Sequence, residues 1–210
     1  MSAHHAPDWV PHREGTGIKD NGIFATWLSL ISFTFFLATF VAANVYLRGW
    51  APDKFTVDFG PNADLPAITT IILLVAGLLL LLAASFFRSK AMGKFNIMMV
   101  LSTLAITAYA VMQIWLLFYT HEQGEHAWTT HMGIYFLQLA LSLVCIGFMM
   151  AIGKYYSERN IKALNRLVPA ALSVFLYTVA TGVLTLVLTD MISVGEFAEW
   201  CGTRIMELVQ

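Results

Sequence analysis

The sequence predicts an all-α membrane protein, a polytopic bundle of five transmembrane helices with the N-terminus inside, the C-terminus outside and a short interfacial helix at the C-terminal end. Three observations predict it. Hydrophobic residues make up 58% of the 210 and charged residues only 12%, about half the roughly 25% charged share of soluble domains. Five runs free of Asp, Glu, Lys and Arg cover 23–47, 65–87, 95–120, 131–153 and 167–189, each near or above the roughly 20 residues that cross a hydrocarbon core as helix. The runs are also apolar on every face, as in LLVAGLLLLLAASFF, whereas a membrane β-barrel would alternate in segments of about 10 residues.

Taken in order, residues 1–22 are expected to form a cytoplasmic tail, 23–192 the transmembrane domain and 193–210 an amphipathic tail on the outer face. The polar start and the length of the first run argue against a cleavable signal peptide, whose apolar core is about 7–15 residues. In the second helix Ala76, Gly77, Ala83 and Ala84 interrupt a surface otherwise rich in leucine, so part of that surface is expected to face lipid. Gln113 is the deepest strongly polar side chain of the third helix and needs a partner on another helix or subunit, since lipid offers none. The fourth helix opens at His131 and carries Cys145, far from Cys201 in the outer tail, so a disulfide between them is not expected. The fifth helix spaces Ser173, Thr178, Thr181, Gly182 and Thr185 along one stripe, a small and polar seam suited to close helix packing. Pro66 and Pro169 are expected at helix starts. In the tail, Phe197, Cys201, Ile205 and Leu208 share a face and Trp200 suits an interfacial belt.

Orientation follows from the charges, because short loops rich in Lys and Arg stay cytoplasmic. Nine of twelve basic residues fall in the N-terminal segment and the loops after the second and fourth helices, with four of thirteen acids. That side carries about +5 and the other about −6, so a net charge of −1 conceals a polarised molecule.

Ionisable groups at bilayer depth are costly and therefore usually functional. None falls near the centre of a run; the interior offers Asn44, Tyr109, Gln113, Tyr135, Gln138 and Tyr177 with scattered Ser and Thr. Ion coupling, proton pumping or haem ligation would ordinarily need a carboxylate, lysine or histidine there. Catalysis by this chain alone is therefore not expected, and nothing marks a nucleic-acid partner.

Half of the six histidines lie in THEQGEHAWTTH, residues 120–131. His121, His126 and His131 are weak candidates for a metal site. Their spacing of five turns each about 140° from the last on a helix, where zinc sites on helices prefer i, i+4. A loop of about ten residues could still gather them with Glu122 or Glu125, Gly124 giving the turn. The simpler expectation is a solvated acidic loop facing a basic partner. His4, His5 and His12 lie in a tail broken by Pro7 and Pro11 and are expected to be mobile.

The order of motifs resembles one family. The first helix places Trp27, Ser32, Phe36, Leu47 and Arg48 in the register of the opening helix of five-helix bacterial cytochrome c oxidase subunit III, with a Trp, a Ser five residues on, paired Phe and a closing Leu-Arg. The second helix, LPAITTIILLVAG with Thr69 and Thr70, is similar to that family's Pro, Asn-Thr, aliphatic run and small pair, Thr69 replacing Asn. A basic turn and a Gln late in the next helix, here Gln113, agree as well. The resemblance covers about residues 22–190 and rests on order, spacing and topology together. Departures are Phe33 and Leu116 where relatives often carry Glu, and 140–144 in place of a Gly-His-Gly pattern.

The resemblance implies an accessory subunit of a haem-copper terminal oxidase in a bacterial cytoplasmic membrane, without catalytic residues or a cofactor of its own. It would dock on the catalytic subunit I and the copper-bearing subunit II, which hold the haems and copper, bind phospholipid, and support stability and sustained proton uptake, with cytochrome c arriving near the acidic outer face. Trp27, Ser32, Arg48, Thr69, Thr70 and Gln113 are the expected structural, subunit or lipid contacts. The alternatives are the equivalent subunit of a quinol oxidase or nitric-oxide reductase and, further off, a standalone small-molecule channel or transporter or a metalloenzyme built on the outer histidines.

Overall fold

A computed structural model describes residues 21–57, 59–60 and 63–191, and of 21–23 the backbone alone. The N-terminal histidines and the amphipathic tail 193–210 lie outside the described residues. The chain forms α1 (Asn21–Trp50), the single turn α2 (Pro52–Phe55), α3 (Leu65–Arg88), α4 (Met92–Glu122), α5 (Glu125–Ser157) and α6 (Ile161–Leu186), which runs into a π-helical turn, Val187–Met191. Five of these helices are long and apolar enough to cross a membrane, and no strand occurs among the described residues.

The helices overrun the apolar runs. α4 has 31 residues, about 46 Å of helix at 1.5 Å per residue, against a hydrocarbon core of about 30 Å. Charged residues therefore mark where a span leaves the apolar core without ending the helix. One consequence corrects the expectation of a ten-residue loop around the histidines: the α4–α5 connection is Gln123–Gly124 alone. Gly124, at φ +112° and ψ 171°, makes the reversal, and Glu125 sits in the first turn of α5, where a carboxylate complements the positive helix end. A second correction concerns Pro169, which lies inside α6. The basic stretch from Ile161 is already helical, its start capped by the Asn160 side chain accepting from the Ala163 amide at 3.1 Å, so the proline falls in the third turn.

The two turns at the opposite, basic end share one geometry. The Ala91 amide donates to Phe86 O and the Lys90 amide to Phe87 O; the Asn160 amide donates to Tyr155 O and the Arg159 amide to Tyr156 O. These are the paired bonds of a Schellman ending, with Lys90 (φ 61°) and Arg159 (φ 54°) in the left-handed position usually given to glycine.

Short connections make α3, α4, α5 and α6 antiparallel neighbours in sequence, and α6 returns against α3 to close a four-helix bundle. α1 lies outside it, against α5 and α6. The core of the bundle includes Leu73, Leu80, Phe95, Ile106, Tyr109 and Phe175. Small residues set the closest approaches. A methyl group on Gly182 would meet Leu73 Cδ2 at 2.5 Å, and one on Gly77 would meet Val179 Cγ2 at 2.8 Å. α3 and α6 thus come together through a glycine on each side, as small-residue packing in lipid requires. Of the predicted α6 seam, Thr178, Thr181, Gly182 and Thr185 are buried, while Ser173 is half-buried and bonds back to Pro169 O. Ala76, Gly77, Ala83 and Ala84 form the buried face of α3, leaving Ile71, Leu78 and Leu82 exposed on the other. Most of the aromatic surface of α1, including Phe24, Trp27, Phe35 and Phe36, is likewise exposed.

Candidate functional site

Buried polar groups concentrate where α1 and α6 end and α3 begins, the acidic end of the bundle. The site starts with Arg48, only 8% exposed. Its guanidinium donates to Leu188 O at 3.3 Å and, more closely, to Thr189 O. The last carbonyls of a helix have no partner within it, and the π turn at 187–191 loosens this one further. A cation reaching across from α1 satisfies them and complements the negative helix end. Asp190 follows at once, accepting from the Thr189 hydroxyl at 2.7 Å and interacting electrostatically with Arg48. α1, which has little buried surface elsewhere, is thereby tied to α6.

One turn deeper, Asn44 binds α5. Its Nδ2 donates to Thr130 O at 3.3 Å and lies 3.4 Å from Nε2 of His131. The other ring nitrogen of His131, Nδ1, lies 3.2 Å from Ala127 O. That pattern assigns the proton to Nδ1, donating along the helix, and the acceptor lone pair to Nε2, facing Asn44. His131 is 2% exposed and is not part of the solvated stretch expected for it. His121 packs edge-on to Trp128 and His126 stacks on Phe55, both outside the bundle. No group of three or more His, Cys, Asp or Glu suited to a metal ion comes together among the described residues.

Beside these contacts lies a cavity of about 20 Å³ among α3, α4, α5 and the end of α6. Thr69 and Thr70 line it from α3, Gln113 from α4, Tyr135 and Gln138 from α5, and Asp190 from the π turn. Gln138 is 1%, Gln113 5% and Tyr135 6% exposed. The threonine hydroxyls donate to their own helix, Thr69 to Leu65 O at 2.8 Å and Thr70 to Pro66 O at 3.0 Å. Tyr109 donates to Gln138 Oε1 at 3.2 Å. Gln113 Oε1, Tyr135 Oη and Gln138 Nε2 have no protein partner; with Asn44 Oδ1 they are the four buried side-chain polar atoms so placed among the described residues. The lining is neutral apart from Asp190.

The expected contact residues divide into two sets. Arg48, Thr69, Thr70 and Gln113 lie in this region, while Trp27 and Ser32 are exposed on α1. Sequence reasoning put Arg48 and His131 at the membrane surface and treated Asn44, Tyr135 and Gln138 as unplaced polar residues. A signal was available: Asn44 and Arg48, Tyr109 and Gln113, and His131, Tyr135 and Gln138 recur at helical spacings of three and four, so each set shares one helix face. Comparison of the chain with protein-family models, with curated proteins and with solved structures finds no match.

Proposed function

We propose that the chain is a cofactor-free accessory subunit, of the subunit III type, in a haem-copper terminal oxidase of a bacterial cytoplasmic membrane. It docks on the catalytic subunit and the copper-bearing subunit, stabilises them and supports sustained proton uptake, with phospholipid around it. The observation that carries the reading is the ordered pattern from Trp27 through Ser32 and Phe36 to Arg48 on α1, followed by the Pro66, Thr69 and Thr70 start of α3 and by Gln113. Two features of the fold are consistent with it. Arg48, which closes the α1 pattern, fixes α1 to the end of α6. Trp27 and Phe36 are both exposed on α1 and offer apolar surface for companion subunits. The acidic end would then face outward, where a basic electron donor approaches.

The test is removal of the gene product from its membrane. The remaining oxidase should keep its haem absorbance and initial rate while inactivating faster during turnover. Loss of the haem absorbance together with the chain would refute an accessory role, and unchanged turnover lifetime would refute the stabilising one. The neighbours that copurify, with their haem spectrum, distinguish a cytochrome c oxidase from a quinol oxidase or nitric-oxide reductase.

A further inference from the structure

We infer that the cavity lined by Gln113, Tyr135 and Gln138 is a binding site for one ordered water molecule, which joins Gln113 of α4 to Tyr135 and Gln138 of α5 beside the direct Tyr109–Gln138 bond. The inference does not depend on the oxidase reading. Its first support is size. About 20 Å³ exceeds the roughly 10–15 Å³ that a single water needs and is too small for a cluster or an organic ligand. Its second is the unmet hydrogen bonding. Three of the four unpartnered buried polar atoms among the described residues belong to residues lining this one cavity. A dry cavity would leave all three without compensation for the water they lost on folding.

The chemistry of the three atoms selects the occupant. Gln113 Oε1 can only accept. Gln138 Nε2 can only donate, and Oε1 of the same amide accepts from Tyr109 at 3.2 Å. Tyr135 Oη can do either. A cation, although Asp190 also lines the cavity, would face the Gln138 amide protons, and an anion would face the Asp190 carboxylate as well as the Gln113 carbonyl oxygen. A neutral molecule that donates and accepts at once meets every group: water donates to Gln113, accepts from Gln138 and uses its remaining proton or lone pair on Tyr135. The threonines cannot supply the missing donor, since Thr69, Thr70, Thr185 and Thr189 direct their hydroxyl protons to carbonyls of their own helices or, for Thr189, to Asp190. Asp190, whose residue surface is exposed, also lines the cavity.

Water-to-protein polarisation transfer in solid-state NMR tests the site, using the full chain in its native complex with 15N in glutamine side chains. Transfer to the Gln138 amide is expected at a slower build-up than to the exposed Gln123, and it is expected to vanish in Gln113→Leu, whose side chain fills the space. Tyr135→Phe removes one oxygen without changing shape and should weaken the same transfer if Gln113→Leu does not assemble. Absence of transfer to Gln138 in the unaltered chain overturns the inference. So does a build-up equal to that of Gln123, which would mean open exchange with bulk water, or a signal unmoved by both substitutions.

Discussion

Replacing Arg48 by Met should weaken the hold of α1 on the end of α6. Methionine keeps the length and apolar stem but removes the donors to Leu188 O and Thr189 O. A hydrogen bond from a charged donor contributes about 1.5–3 kcal/mol, and a cation at a helix C-terminus adds about 0.3–1 kcal/mol. The longer 3.3 Å bond to Leu188 O counts at the low end, so the loss should be about 2–4 kcal/mol. At 3 kcal/mol the folded-to-unfolded ratio falls by roughly a hundredfold. The substitution also leaves Asp190 beside a negative helix end, so adding Asp190→Asn should recover about 1 kcal/mol, a non-additivity expected of charges in one cluster. The assay is denaturant titration of the purified chain in a mild detergent, followed by helical circular dichroism. Arg48→Lys, which keeps the charge and loses the planar fork, should fall between the two. An Arg48→Met midpoint within about 0.5 kcal/mol of the unaltered chain would refute the reasoning.

Gly124→Ala should cost about 1–3 kcal/mol by the same titration, although nothing lies within 4 Å of the added methyl group, because φ +112° is strained for any L side chain. In Gly182→Ala the added methyl group would sit 2.5 Å from Leu73 Cδ2, an overpacking worth about 1–3 kcal/mol; the double variant with Leu73→Ala should lose less than the two single losses combined. Lys90→Gly should stabilise by about 1 kcal/mol, since an L residue pays for φ 61° and glycine does not. Ser102→Ala, which removes the 2.9 Å bond to Ala76 O between α3 and α4, should cost only about 0.6 kcal/mol, the usual size of such bonds in membrane bundles.

The helical spans were legible because hydrophobicity over about 20 residues is a one-dimensional signal. Their ends were less so. Thr120, His121 and Glu122 continue α4 because a helix outside the hydrocarbon core still satisfies its own backbone, and charge alone does not stop it. Small and polar residues gave the packing face of α6, Ser173 apart, since close approach between helices depends on what a side chain lacks. The polar junction was harder to read. Arg48 looks like a surface residue in sequence, and only its position opposite the loosened end of α6 shows that it caps another helix. Gln113 announced a need for a partner, but the residues that line its cavity with it come largely from α3, α5 and α6, whose relative rotation no spacing within α4 encodes. The histidines were misplaced for another reason: the stretch reads as one solvated loop, while continuous helix on both sides of Gly124 turns His131 inward and leaves only His121 and His126 outside.

The central claim is that this chain serves a redox complex without holding its cofactors. Native electrophoresis of solubilised membranes, with a haem spectrum of the band containing this chain and metal and haem analysis of the chain isolated from it, tests that claim most directly. The expected result is migration with the catalytic and copper-bearing subunits and haem absorbance in the band, with neither haem nor copper retained by the isolated chain. Stoichiometric haem or copper on the isolated chain, or migration apart from any haem-bearing partner, would contradict it.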